Sequence, residues 1–242
     1  PNGTYDLGDQ CLTTISGNNI SLIGESMDKT IIVNKPAIEN EGIGTTATLL
    51  NTSNNLYMQD ITLQNDFVDP KGKLSVAGAK ATIPTINKLI AYGRSKNWKV
   101  VWVTRDHRSS GVDVDAPRIP LFVEGKTGYC VPETWGGALV DGLKPEKEDI
   151  MSPKFRNSAF FNTNLDLMLR RMGVKTVVLA GTQYPNCVRG TANDAMSYDY
   201  ETVVCTDACS AKTPEVAAAN VFDMQNMGIK CISLDEVEKE YK

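Results

Sequence analysis

The 242 residues include a single histidine, His107. A Ser-His-Asp triad or a Cys-His dyad would have to use it, and a site built from several histidines is excluded. The six cysteines, Cys11, Cys130, Cys187, Cys205, Cys209 and Cys231, contain no CxxC pair and no zinc-ribbon spacing. A chain this long needs no disulfide staples, so reduced and mostly buried thiols are expected, Cys205 and Cys209 among them. Long hydrophobic runs are also missing. Val100-Val101-Trp102-Val103 and Val177-Val178-Leu179-Ala180 are among the longest, far short of a membrane span. Positive charge is not in excess: 25 Lys and Arg against 29 Asp and Glu leave a net charge of −4. Neither a nucleic-acid surface nor a polybasic membrane anchor is advertised. What is present is a hydrophobic fraction of 41%, enough for one large domain with or without an appendage.

The chain changes character near residue 65. Residues 1–65 are rich in Asn, Thr, Ser, Gly and Ile, with short apolar alternations such as Ile20-Ser21-Leu22-Ile23 and Thr30-Ile31-Ile32-Val33 between turn residues. This predicts short strands of a repetitive β architecture, a solenoid in preference to a sandwich. From residue 66 to 242 strands and helices alternate. A helical segment over Val76–Arg94 leads into a strand at Lys99–Thr104. A helix ending at Gly173 precedes a strand at Thr176–Ala180, and a helix near Val188–Ser197 precedes one at Thr202–Thr206. Thr213-Pro214 starts a helix that Gly228 ends, and a strand follows at Lys230–Leu234. The fold class expected is α/β, a doubly wound parallel sheet with helices on both faces, preceded by the β-rich segment.

In such sheets ligands bind beyond the carboxyl ends of the strands. Thr104-Arg105-Asp106-His107, Asp207-Ala208-Cys209 and Gly181-Thr182-Gln183-Tyr184-Pro185-Asn186-Cys187 occupy such places. The last is the sharpest signal, because Cys187 falls at the mouth of a helix, where free N–H groups and the dipole favour a thiolate and could hold an oxyanion. A buried thiol packing helix on sheet is the competing reading.

Four stretches together resemble the isochorismatase-like cysteine hydrolases, which include the nicotinamidases. They are Gln64-Asn65-Asp66-Phe67, Thr134-Trp135-Gly136, Lys154-Phe155-Arg156-Asn157-Ser158-Ala159-Phe160-Phe161-Asn162-Thr163, and Asn186-Cys187-Val188-Arg189-Gly190-Thr191-Ala192-Asn193-Asp194-Ala195. The resemblance covers residues 64–236. It implies hydrolysis of a small amide or related carbonyl compound through a thioester, with Cys187 as nucleophile and Lys154 assisting its ionisation, so that no histidine base is required. It also implies a cis peptide at Thr182-Gln183. From their positions alone, Tyr184, just before Cys187, is placed to shape the acyl pocket, and Trp135 either lines the pocket or packs under a loop. Metal-using relatives carry His and Asp where Asp106 and His107 stand here. With no second histidine, no metal and no other cofactor are expected, and His107 reads as an exposed or substrate-facing loop residue.

One departure bears on activity. The family's general acid/base is an Asp two residues ahead of the Gln of its Gln-Asn-Asp-Phe motif, and here that position is Thr62. The nearest upstream carboxylate, Asp60, lies about 6.6 Å back along the strand and reaches the site only through a two-residue register slip. Residues 2–65 in turn resemble the first coils of a pectin methylesterase β-helix, ending before that enzyme's catalytic positions, with Leu63-Gln64-Asn65 common to both resemblances. Two functions follow as expectations: a cysteine hydrolase with a small-molecule substrate, or an inactive fusion that contacts carbohydrate. The hydrolase half reads as cytoplasmic and the first half as secreted. A homo-oligomer is compatible with the fold, and no nucleic-acid or membrane partner is expected.

Overall fold

In the computed structural model the described residues are 63–123, 126 and 128–242, together with the backbone of 3–6, 13–15, 30–33, 49–51 and 56–61. They belong to two compact units, Pro1–Asn54 and Asn55–Lys242. In the first unit β1 (Gly3–Asp6) pairs in parallel with β3 (Thr30–Val33), and β2 (Thr13–Ile15) with β4 (Leu49–Asn51). The other stretches read as solenoid strands there, Ile20–Gly24 among them, lie outside the described residues.

The second unit is built on a six-stranded sheet in the order β10-β9-β8-β5-β6-β7, parallel throughout. Its strands are β5 (Leu56–Ile61), β6 (Lys99–Arg105), β7 (Ile150–Lys154), β8 (Thr176–Thr182), β9 (Glu201–Ser210) and β10 (Lys230–Ile232). The helices are α1 (Asn65–Val68), α2 (Ile83–Ser95), α3 (Leu165–Arg171), α4 (Arg189–Ser197), α5 (Pro214–Asn226) and α6 (Leu234–Glu240).

Alternation along the strands divides the core in two. Val100, Trp102, Val178 and Ala180 pack with Ile86 and Leu89 of α2 and Val237 of α6. Val101, Val103, Val177 and Leu179 pack with Leu169 of α3, Ala192 of α4 and Met224 of α5. Helices therefore cover both faces, and β8 is buried along its whole length, as a central parallel strand should be. Local signals start and stop the helices as expected. Pro84 sits in the first turn of α2, the Thr213 side chain accepts a hydrogen bond from the Val216 N–H, and Gly173 and Gly228 turn the chain at φ 73° and 92°.

Two expectations are corrected. The boundary at residue 65 lies too late: β5 belongs to the second unit, between β6 and β8, despite the polar Gln59 and Asp60 in its sequence. The register slip that would advance Asp60 is also not the register observed. Pairing runs without irregularity from Leu56 to Ile61, with Asp60 opposite Trp102 and Ala180. Arg105 pairs with Lys154, so Asp60 stands three residue steps short of Lys154, about 10 Å along the strands. Thr62 lies outside the described residues.

Candidate active site

Chain direction across the sheet reverses between β5 and β8: β6 and β7 are laid down on one side of β5, and β8, β9 and β10 on the other. A crevice opens at the carboxyl ends of adjacent strands at such a switch point. Cys187 lies there. After β8 the Thr182–Gln183 peptide is cis, and a single π-helical turn, Tyr184–Val188, carries Cys187 into α4. The Gln183 carbonyl ties this turn by accepting from the N–H groups of Asn186 (3.3 Å) and Val188 (3.2 Å). Cys187 is 4% exposed.

Lys154 ends the edge strand β7 and is fully buried. Its ammonium is within hydrogen-bonding reach of Cys187 and donates to the Asn157 carbonyl at 2.6 Å. Burial pushes it down to about 8. The Cys187 sulfur opposes that shift, and the Arg105 guanidinium adds to it.

The Gln64-Asn65-Asp66 segment is a staple. Gln64 receives the Arg105 N–H on Oε1 (2.7 Å) and donates Nε2 to the carbonyls of Arg105 (3.0 Å) and Gly137 (2.7 Å). Asn65 donates Nδ2 to the Trp135 carbonyl at 2.8 Å. Asp66 accepts the Cys130 N–H at 2.7 Å. Gly136 allows this approach, because a Cβ there would strike the Asp66 carboxylate. Two motifs far apart in sequence are thus joined, and the segment behind Cys130 is fixed to the sheet.

The other predicted residues fare differently. The Thr182 hydroxyl meets that of Ser210 in the core. Trp135 is 54% exposed. The Tyr184 side chain is buried in the core cluster that includes residues of α4 and β9, and its hydroxyl donates to the Thr206 carbonyl at 2.9 Å. Burial pushes its phenol upward. His107 is fully buried, which removes the exposed one of its two expected placements. Its Nδ1 lies 3.2 Å from Asp113 Oδ1, its Nε2 3.4 Å from Arg105 Nη1, and Phe122 and Tyr129 meet it edge-on. Burial, reinforced by Arg105 and opposed by Asp113, pulls its pKa down. With both ring nitrogens so engaged, the residues do not fit a metal centre. Among the described residues no three His, Cys, Asp or Glu side chains gather to hold an ion.

Sequence reasoning gave no role to Arg105 or Asn157. Arg105 is 1% exposed and donates from Nη2 to Asn157 Oδ1 (2.9 Å) and from Nη1 to the Phe155 carbonyl (3.1 Å). Its position at a strand end was the available signal. Asn157 also walls a cleft of about 380 Å³, together with Asp115, Arg156, Phe161, Gly190 and Asp194. None of the three residues expected to line a pocket, Trp135, Tyr184 and His107, borders this cleft.

Comparison with known proteins bears on this geometry. The model of the isochorismatase domain matches residues 61–236. The chain belongs to the isochorismatase family. It is 41% identical over 182 residues to a probable inactive nicotinamidase of Arabidopsis thaliana, covering 74% of this chain and 93% of the relative. A ureidoacrylate amidohydrolase of Rhizobium rhizogenes is 31% identical over 175 residues, covering 67% of this chain and 71% of that protein. The crystal structure of an isochorismatase family protein from Desulfovibrio vulgaris is 46% identical and superposes with a TM-score of 0.75, covering 77% of this chain and 97% of that one. These matches lend no support to the pectin methylesterase resemblance of residues 2–65 or to a carbohydrate-binding fusion. No helix among the described residues of this isochorismatase-family chain is long and apolar enough to cross a membrane.

Proposed function

We propose that the chain is a cysteine hydrolase that opens the C–N bond of a small amide or related carbonyl substrate. The observation that carries this reading is the buried Lys154 ammonium beside Cys187 at the switch point of the sheet. An ammonium next to a sulfur favours the thiolate, which is the nucleophilic form. The thiolate attacks the carbonyl carbon, the C–N bond breaks with its electron pair leaving on nitrogen, and water then cleaves the thioester to release the acid. N–H groups of the turn that follows the cis bond are the candidates for holding the oxyanion. The amidohydrolase activity named for the Rhizobium relative is of this class. Buried free thiols such as Cys130, Cys205 and Cys231 suit a reducing compartment such as the cytoplasm.

A second reading is that turnover has been lost. Thr62 in place of a carboxylate and the register of Asp60 favour it, as does the inactive state named for the Arabidopsis relative. One experiment separates the two. The full chain and its Cys187→Ala variant are incubated with a panel of amides and ureido compounds. Turnover in the parent that vanishes in the variant supports the hydrolase, whereas equal release of amine or ammonia in both removes it.

A further inference from the structure

Two buried cations stand side by side at the rim of the sheet. Arg105 and Lys154 are partners in the β6–β7 register, and solvent reaches neither. Asn157 joins them, taking Lys154 Nζ on its carbonyl and Arg105 Nη2 on its side-chain oxygen. Among the described residues no carboxylate pairs with Lys154. Arg105 meets one, Asp115, at 3.5 Å, and that carboxylate is shared with Arg118. The positive field behind Lys154 is therefore only partly offset. Like charges in a dry site raise each other's energy, and a guanidinium does not give up its proton, so the lysine is the group that yields.

We propose that Arg105 is a positioning residue of the hydrolytic site and that Lys154, under its influence, carries protons to and from Cys187. The proposal rests on the hydrolase reading above and extends it with a proton route that needs no carboxylate on β5. As a free amine, Lys154 accepts the S–H proton while sulfur bonds to the carbonyl carbon. When the C–N bond breaks, the ammonium returns that proton to the departing nitrogen. In the second half the amine takes a proton from the water attacking the thioester and gives it to sulfur as the C–S bond breaks. The ammonium value of about 8 keeps both forms accessible near neutrality. Among the described residues the charged and titratable groups that bear on Lys154 are Cys187 on the turn after β8, Arg105 on β6 and Cys130 in the stapled segment.

The test reads the thiol and needs no substrate. Alkylation of Cys187 by iodoacetamide is followed across pH by mass spectrometry of the intact full-length chain, with Cys187→Ser as background. The inflection of the parent is the reference against which the variants are read. Lys154→Met should slow alkylation at pH 7 at least tenfold. Arg105→Gln should move the inflection up by about one pH unit, roughly tenfold at pH 7. Asp115→Asn, which removes the countercharge of Arg105, should move it down. A merely structural role for Arg105 produces no such opposition of sign. Inflections that stay in place in the two variants, or move in the same direction, overturn the proposal. If Arg105→Gln does not fold, Asp115→Asn decides alone, since its side chain is 22% exposed and its loss is tolerable. Failure of the amide assay would defeat the hydrolase reading and leave these shifts as predicted.

Discussion

Two lysines occupy opposite rims of the same sheet, and their surroundings differ in kind. Lys230 opens β10 and meets Glu201 at 3.3 Å, the Tyr241 hydroxyl at 2.9 Å and the Glu240 carboxylate. These partners raise its proton affinity, hydrogen bonds to Glu240 and Tyr241 foremost. Lys154 ends β7 with a carbonyl, a sulfur and another cation for neighbours, and burial lowers its affinity. The first lysine fastens the C-terminal helix to the strand starts. The second is kept where its charge is costly, the kind of cost that accompanies reactivity more often than stability.

The contrast breaks most visibly at Lys154. A lysine whose folded-state pKa lies below its unfolded value burdens the fold at every pH below the folded value, here about 8. The burden lifts between there and about 10.5, because the unfolded chain binds more protons in that window. The full burden is on the order of 3 kcal/mol. Lys154→Met should therefore be more stable than the parent at pH 7, by about 2 kcal/mol once the Asn157 carbonyl has lost its donor. That gap should close toward pH 10.5, as urea unfolding at several pH values would show. A constant gap, or a less stable variant at pH 7, would contradict the picture of an unpaid buried charge. Gln64→Ala comes next. It strips partners from the Arg105 N–H, from the buried Arg105 carbonyl and from the half-buried Gly137 carbonyl, and should cost about 1–2 kcal/mol while slowing Cys187 alkylation. At the other rim, Ser233→Ala removes the capping box that starts α6 and should cost about 1 kcal/mol, read as a lower melting midpoint. Lys230→Met is the smallest. Its partners are partly exposed, so the loss should stay below about 1 kcal/mol at pH 7 and fade in high salt, with Cys187 reactivity unchanged.

Much of the second unit was legible because its signals are local. Val177–Ala180 is a continuous apolar run, Thr213-Pro214 is a cap with its first-turn proline, and Gly173 and Gly228 mark helix ends. β7 escaped because Ile150-Met151-Ser152-Pro153-Lys154 alternates weakly and contains a proline, which an edge strand tolerates. α6 was missed although Ser233 and Glu236 spell its capping box. β5 carries Gln59 and Asp60 where a central strand is ordinarily apolar, and its pairing with β6 and β8 shows where it belongs. At the candidate site, the meeting of Cys187 and Lys154 was anticipated from resemblance. Arg105 and Asn157 were not, because an arginine at a strand end reads as solvated until the register sets it beside another cation. The burial of His107 likewise depends on Asp113, Phe122 and Tyr129, whose approach no spacing along the chain reveals.

The strand order has a consequence for how the molecule is made. β5 leaves the ribosome ahead of every other strand of its sheet, yet its flank toward β8 stays open until Thr182 has been synthesised. Until then a bare strand edge is available to neighbouring nascent chains, so slow translation between β6 and β8 favours aggregation over assembly. Truncated chains that stop short of β8 should for the same reason accumulate in inclusion bodies, while those that end after β9 partition into the soluble fraction.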